Sequence, residues 1–96
     1  MKIGLLGLGT VGSGVVEIIN VRKETIKKST GIDLHIKTAL VNDLTKERDV
    51  DLSDTTLTQN FEDILNDNEI EIIIEVTGDV EASYRYITEG LKAGKQ

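Results

Sequence analysis

Gly4-Leu5-Leu6-Gly7-Leu8-Gly9-Thr10-Val11-Gly12-Ser13-Gly14 is the stretch of sequence that decides the fold. Lys2 to Leu6 form a mostly apolar run of strand length, and the glycine pattern Gly7-x-Gly9-x-x-Gly12 follows at once. From Val11 onwards, apolar residues recur at helical spacing. The sequence therefore predicts a strand, a tight turn and a helix in immediate succession.

Each glycine of this pattern has its own physical task. Gly7 allows a sharp reversal out of the strand, Gly9 has no side chain to keep a pyrophosphate away, and Gly12 lets the helix pack closely on the strand. The phosphates would lie at the helix N-terminus, where the N–H groups of Thr10 and Val11 lack helical partners. A glycine-rich turn without a ligand is the alternative, and the position between strand and helix favours dinucleotide binding.

Composition limits the other functions that the chain can have. Its 96 residues predict one small domain over 1–96. The net charge of −6 and the 3% of aromatic residues argue against nucleic-acid binding. No apolar run is long enough for a membrane span, so we expect a cytoplasmic location and no membrane partner. With no cysteine and one histidine, we expect no disulfide, thiolate chemistry or metal site.

The remaining elements follow from periodicity. We expect a long helix over 11–29, strands over 32–41, 55–58 and 70–76, a loop over 44–54, and two further helices. Asn60 is the predicted N-cap of the short helix, with Asp63 completing a capping box. The predicted inward stripes are Val11, Val15, Ile18, Ile19 and Ile26 on the long helix, and Val80, Tyr84, Ile87 and Leu91 on the last.

The end of the second strand carries the residues expected to read the adenosine ribose. An acid there, with Asp43 as the candidate, favours NAD, whereas a basic residue binds the 2′-phosphate of NADP. Asn42 is placed where the ribose of either NAD or NADP is within reach, and Lys46 and Arg48 follow closely enough to bind a phosphate. Simple turn chemistry is the alternative for Asn42-Asp43.

The run Ile70 to Val76 predicts a central parallel strand, and Thr77-Gly78-Asp79 stands at its carboxyl end. Ligands of open parallel sheets lie at that edge, so Thr77 and Gly78 are expected beside the nicotinamide. For Asp79 we favour an N-cap of the last helix. His35 is expected to be exposed or satisfied within its strand, and Tyr84 and Tyr86 to serve packing.

Together these elements predict an α/β, Rossmann-type, doubly wound fold with part of a parallel sheet in strand order 3-2-1-4, in three α/β/α layers. The identities of the residues point to one family among the proteins with this fold. The first motif, the strand end Val41-Asn42-Asp43 and Ile73-Ile74-Glu75-Val76-Thr77-Gly78 closely resemble the N-terminal part of homoserine dehydrogenase, over essentially the whole chain.

The resemblance implies a parent enzyme that interconverts aspartate 4-semialdehyde and homoserine by hydride transfer with NAD or NADP, in threonine and methionine biosynthesis. It implies that the pyrophosphate is held by Gly7, Gly9, Thr10, Val11 and Gly12. It also implies that Asn42 and Asp43 face the adenosine ribose, and that Thr77 and Gly78 border the nicotinamide. Two positions depart from the family, which often has Arg where Asn42 stands and usually has Gly where Asp79 stands.

No catalytic residue is expected in this chain. In the family, the catalytic lysine and the substrate domain follow the segment ending at Gly94-Lys95, so we expect a truncated cofactor-binding domain, inactive alone. Its last strand would be an apolar sheet edge that favours self-association, and we expect a homo-oligomer. The alternatives are the first half of another two-domain dehydrogenase or reductase, and a non-catalytic nucleotide-binding module.

Overall fold

The computed structural model describes all residues from Met1 to Gln96. Its elements in chain order are β1 (Lys2–Leu6), α1 (Thr10–Thr30), β2 (His35–Leu40), β3 (Thr56–Thr58), α2 (Glu62–Leu65), β4 (Ile70–Glu75) and α3 (Val80–Lys92). All strand pairs are parallel and the order is β3-β2-β1-β4. The predicted doubly wound architecture is therefore confirmed, and β2 begins three residues later than expected.

Two apolar clusters lie on opposite faces of the sheet, because successive strand residues point to opposite sides. Leu5 packs with Val16 of α1 on one face, and Leu6 packs with Phe61 and Ile64 on the other. The second face is also covered by α3, where the Tyr86 ring lies 4.5 Å from the Phe61 ring between centroids. The sheet is thus the middle of three layers.

The helix ends follow local chemistry. Gly31 adopts a left-handed conformation with φ 76° after α1, as expected for a helix C-cap. Asp79 caps α3 by accepting a hydrogen bond of 3.1 Å from the Ala82 N–H, which confirms its predicted capping role. The predicted capping box of Asn60 is wrong, because Asp63 instead accepts from the Thr58 hydroxyl at 2.5 Å.

The predicted inward stripes are partly wrong. On α1, Val11 and Ile18 are exposed, while Val16 is the buried side chain. On α3, the whole predicted stripe faces outwards: Val80, Tyr84, Ile87 and Leu91 are all exposed. The face towards the sheet instead carries Tyr86 and Gly90, whose lack of a side chain lets Ile73 approach. Apolar spacing identified residues that share a face, and the packing decided which face is covered.

The outer edge of β4 is partly paired. The Gln96 N–H donates to the Glu71 carbonyl at 2.9 Å, and the Ile73 N–H donates to the Gln96 carbonyl at 2.7 Å. The adjoining Lys95 is buried, and its Nζ donates to the carbonyls of Asp67 and Ile70 at 2.7 and 2.8 Å. No helix is both long and apolar enough to cross a membrane.

Candidate functional site: the cleft at the carboxyl edge of the sheet

The carboxyl ends of three neighbouring strands lie side by side at the same edge of the sheet. Leu6 at the end of β1 is in register with Leu40 of β2 and Glu75 of β4. Two further backbone bonds extend this alignment, from the Gly7 N–H to the Leu40 carbonyl at 3.0 Å and from the Val76 N–H to the Leu6 carbonyl at 2.9 Å. The loops that follow these strands therefore enclose a common space.

That space is a cleft of about 550 Å³, which we call the edge cleft. It brings together nearly all of the predicted site residues: Gly7, Gly9, Thr10, Val11, Asn42, Asp43, Thr77 and Gly78. Gly12 lies behind the cleft wall and does not line it. Leu8, Ala82 and Tyr86 also line the cleft. Leu8 stands within the glycine motif, whereas no motif indicates Ala82 and Tyr86, because their approach depends on how α3 packs.

The glycine turn has the shape that a close ligand approach needs. Gly7 has φ 98°, a left-handed conformation that a side chain would strain. A Cβ on Gly9 would meet no atom within 4 Å, so that space is open towards the cleft. A Cβ on Gly12 would lie 2.2 Å from the Gly7 carbonyl oxygen, so α1 can approach β1 only because Gly12 has no side chain.

The N-terminus of α1 faces the cleft with unpaired donors. Gly9 is the N-cap and offers no side-chain oxygen, and the first turn carries no acidic residue. The N–H groups of Thr10 and Val11 have no acceptor within the chain. Because the helix dipole places partial positive charge here, this end of the cleft favours an anion.

The loop after β2 forms the second wall, and it is braced by its own side chains. The Asp43 carboxylate accepts from the N–H and the hydroxyl of Thr45, at 2.8 and 2.7 Å. The Arg48 guanidinium donates to the carbonyls of Lys46 and Asp43, at 2.9 and 3.0 Å. The hydrogen bonds from Thr45, together with the positive charge of Arg48, lower the pKa of Asp43 below its ordinary value.

The charged groups of this wall differ in how far they are already engaged. The carboxylate oxygen Oδ1 of Asp43 has two donors within the loop, and Arg48 spans the loop with its Nε buried and unpartnered. The Lys46 ammonium is exposed and makes no ion pair or hydrogen bond within the chain. Lys46 is therefore the cation of this wall that remains free for an incoming ligand.

The loop after β4 forms the third wall. Gly78 has φ 76°, and a Cβ there would again meet nothing within 4 Å. Asp79 lines the cleft, but its carboxylate is engaged by the α3 N-terminus. His35 lies outside the edge cleft, where its Nε2 is 2.7 Å from the Asp54 carbonyl oxygen, so the expectation of a satisfied strand histidine is confirmed.

The residues present fit a dinucleotide. The open space at Gly9 and the free donors at Thr10 and Val11 suit a pyrophosphate, with polar walls on either side for two ribosyl groups. No group of three or more histidine, aspartate and glutamate side chains is arranged to hold a metal ion.

Comparisons with known proteins agree with this geometry. The family model described as "Homoserine dehydrogenase, NAD binding domain" matches residues 7–96. The homoserine dehydrogenase of Bacillus subtilis (strain 168) is 42% identical over 95 residues, which are 99% of this chain and 22% of that protein. That of Helicobacter pylori is 38% identical over 84 residues, covering 88% of this chain and 19% of that protein.

Solved structures give the same result. The structure of homoserine dehydrogenase from S. aureus at pH 7.0 superposes with a TM-score of 0.94 and 42% identity, over 100% of this chain and 24% of that one. The structure of the enzyme from Thiobacillus denitrificans superposes with a TM-score of 0.88 and 31% identity, over 100% of this chain and 22% of that one. The chain thus spans about a quarter or less of these relatives. It belongs to the NAD-binding domain family of homoserine dehydrogenases.

Proposed function

We propose that this chain binds a nicotinamide dinucleotide in the edge cleft and serves as the cofactor module of an enzyme that interconverts aspartate 4-semialdehyde and homoserine. Family membership supports the reaction, and the shape of the glycine turn supports the ligand. The bound nicotinamide supplies the hydride donor or acceptor. The domain assignment, a cofactor-binding unit over 1–96 within a larger dehydrogenase, is part of the same proposal.

The pyrophosphate lies against the glycine turn. The N–H groups of Gly9, Thr10 and Val11 donate to its oxygens, and Gly12 contributes indirectly by keeping α1 close to β1. Backbone amides hold the charge here without a basic side chain, since the helix dipole adds to their donors. The observation that carries this assignment is the open space at Gly9 in front of the unpaired donors of α1.

The adenosine ribose lies between Asn42 and Lys46, and this wall favours NADP. Asp43 is held within its loop by Thr45, and its charge is offset by the neighbouring Arg48. Lys46 then remains as a free cation that pairs with the 2′-phosphate, with Asn42 donating to the ribose. NAD is accepted through the same contacts without that phosphate.

The nicotinamide half lies beside Thr77 and Gly78. Reduction of an aldehyde also needs a proton donor for the developing alkoxide and a pocket that holds the substrate. The chain spans about a quarter or less of the homoserine dehydrogenases that it matches, so most of the parent enzyme lies outside these residues. Cofactor binding without turnover is therefore expected of these 96 residues, and a substrate domain elsewhere in the parent protein is required. The expected cytoplasmic location remains a prediction.

Self-association through β4 is the remaining proposal about partners. Beyond Ile73 the outer edge of β4 has no partner strand, and the exposed Ile87 and Leu91 of α3 line a shallow hollow together with Ile73. A second copy is the expected occupant. Sedimentation velocity over a range of concentrations should reveal a dimer that the Leu91→Lys variant weakens, whereas a monomer at every concentration would contradict the proposal.

The proposed function is tested by titrating the ¹⁵N-labelled protein with NADPH and with NADH. We expect amide shift changes at Gly7 to Gly12, Asn42 to Arg48 and Thr77 to Gly78, and no homoserine oxidation by the bound complex with NADP or NAD. Unchanged spectra with both nucleotides, or changes confined to another surface, would overturn the binding site. Turnover of homoserine by the chain alone would overturn its assignment as a cofactor module.

A further inference from the structure

Glu75 is the last residue of β4, and its carboxylate turns back onto the loop that follows. One of its oxygens accepts a hydrogen bond of 2.7 Å from the Thr77 N–H and a second, short one from the Thr77 hydroxyl. Thr77 lines the edge cleft, and Glu75 does not. The carboxylate therefore holds the cleft wall from behind.

The same hydrogen bonds continue into α3. The Thr77 hydroxyl oxygen accepts from the Asp79 N–H at 3.2 Å, and the Asp79 carboxylate accepts from the Ala82 N–H at 3.1 Å. Glu75, Thr77 and Asp79 thus form one continuous connection from the end of the strand to the start of the helix. Gly78, which has no side chain to anchor it, is held between two of these residues.

The site is built for the charged form of the carboxylate. Glu75 is half-buried on the sheet face that α3 covers. Burial raises the pKa of Glu75, but the Ser83 hydroxyl and the two donors of Thr77 outweigh it, so the pKa lies below its ordinary value. A half-buried carboxylate that stays ionised accepts stronger hydrogen bonds than a neutral group.

We propose that Glu75 is a positioning residue that fixes Thr77 and Gly78 against the nicotinamide half of the cofactor, and that it leaves the adenosine half unaffected. The inference rests on the proposed function, since it assumes that the nicotinamide lies at this wall. No hydrogen bond or ion pair joins the Glu75 carboxylate to the loops after β1 and β2, and its partners all lie in the loop after β4 and in α3. We therefore expect a change at Glu75 to act on the nicotinamide end of the cleft.

The test compares two ligands on the Glu75→Ala variant. NADPH contains the nicotinamide, whereas 2′-phospho-ADP-ribose keeps the adenosine half, the pyrophosphate and the second ribose without it. We expect calorimetry to give about tenfold weaker binding of NADPH, as for the loss of hydrogen bonds to a charged group, and unchanged binding of 2′-phospho-ADP-ribose. Glu75→Gln, which retains an acceptor oxygen, should recover part of the NADPH affinity.

Glu71→Ala is the matched control, because Glu71 lies on the same strand, is exposed and has no side-chain contact with the cleft. It should bind both ligands normally. Equal weakening of both ligands by Glu75→Ala, or weakening of neither, would overturn the inference. If Glu75→Ala does not fold, Glu75→Gln carries the same comparison. Failure of the unmodified protein to bind either ligand would overturn the proposed function itself.

Discussion

Gly12 and Gly7 are in direct contact across the turn between β1 and α1. A Cβ on Gly12 would lie 2.2 Å from the carbonyl oxygen of Gly7 and 2.9 Å from its carbonyl carbon. Because both of these atoms belong to the backbone, no side-chain movement relieves the clash. The third glycine of the motif therefore sets the position of the helix on which the cofactor contacts depend.

Gly12→Ala should destabilise the fold. The added methyl group pushes α1 away from β1, and such overpacking costs about 1–3 kcal/mol. For a domain of this size each kcal/mol lowers the melting temperature by about 4–8 °C. Gly14→Ala is the control, because it lies in the same helix with no atom within 4 Å of its Cβ, and it should raise stability slightly. Equal thermal unfolding of the two variants would refute this account.

Gly9→Ala should weaken cofactor binding without changing the thermal stability of the fold. The residue has φ −79° and open space around its Cβ, so alanine fits and the melting temperature should change little. The methyl group nevertheless occupies the space needed by the pyrophosphate, and displacing a phosphate from its amides should weaken NADPH binding about tenfold or more. Calorimetry combined with thermal unfolding tests both halves. Full affinity in this variant would remove the pyrophosphate from the glycine turn.

The sequence was sufficient to predict those conformations that depend on neighbouring residues in the chain. The positive φ of Gly7 and Gly31, the cap at Asp79 and the parallel strand order all follow from local chemistry and handedness rules. The site residues were gathered for the same reason, since parallel strands bring the loops at their carboxyl ends together.

The sequence was insufficient wherever the outcome depends on distant packing. The prediction that Tyr84 packs is wrong, since it is 76% exposed, whereas the Tyr86 ring packs against Phe61 with the ring planes tilted by 41°. Burial of Lys95 also had no signal, because its ammonium is satisfied by carbonyls that lie 25 and 28 residues away in the chain. The engagement of Asp43 by Thr45, by contrast, joins residues two positions apart and is the turn chemistry that the sequence left open as an alternative; it changes which residue is expected to read the ribose.

Lys46→Met should change cofactor preference. Removing the free cation should weaken NADP binding about tenfold and leave NAD binding unchanged, because only NADP carries the 2′-phosphate. Lys28→Met, near the far end of α1, is the control and should affect neither. Equal loss of both nucleotides would show that Lys46 does not read the phosphate.

Asp43→Asn distinguishes a loop brace from a ribose acceptor. Asparagine keeps an oxygen for the N–H and hydroxyl of Thr45, so the loop should persist and NAD affinity should change by less than about threefold. If Asp43 instead accepts both ribose hydroxyls, NAD binding should fall strongly in this variant. Fluorescence titration with NADH and NADPH measures both outcomes.

An ion cluster at the end of the sheet away from the edge cleft should make the free energy of unfolding depend on pH in the acid range. The Lys37 ammonium lies 2.6 Å from carboxylate oxygens of both Asp67 and Glu69, and Lys2 lies 3.2 Å from Glu69. The hydrogen bond from Lys37 lowers the pKa of Asp67, and hydrogen bonds from Lys37 and Lys2 lower that of Glu69. The folded state therefore binds fewer protons than the unfolded state as these groups begin to titrate.

Lys37→Met tests the sign of this effect. Because the folded pKa values of Asp67 and Glu69 are depressed, their stabilisation is present above the ordinary carboxyl values of 3.8 and 4.5 and is lost as the pH falls through the folded values. Urea unfolding should therefore show the protein more stable than Lys37→Met at neutral pH, with the difference shrinking below about pH 4. Lys27→Met removes only an exposed pair at 3.9 Å and should show no such convergence. A difference for Lys37→Met that stays constant to the acid limit would mean that the cluster does not stabilise the fold through charge.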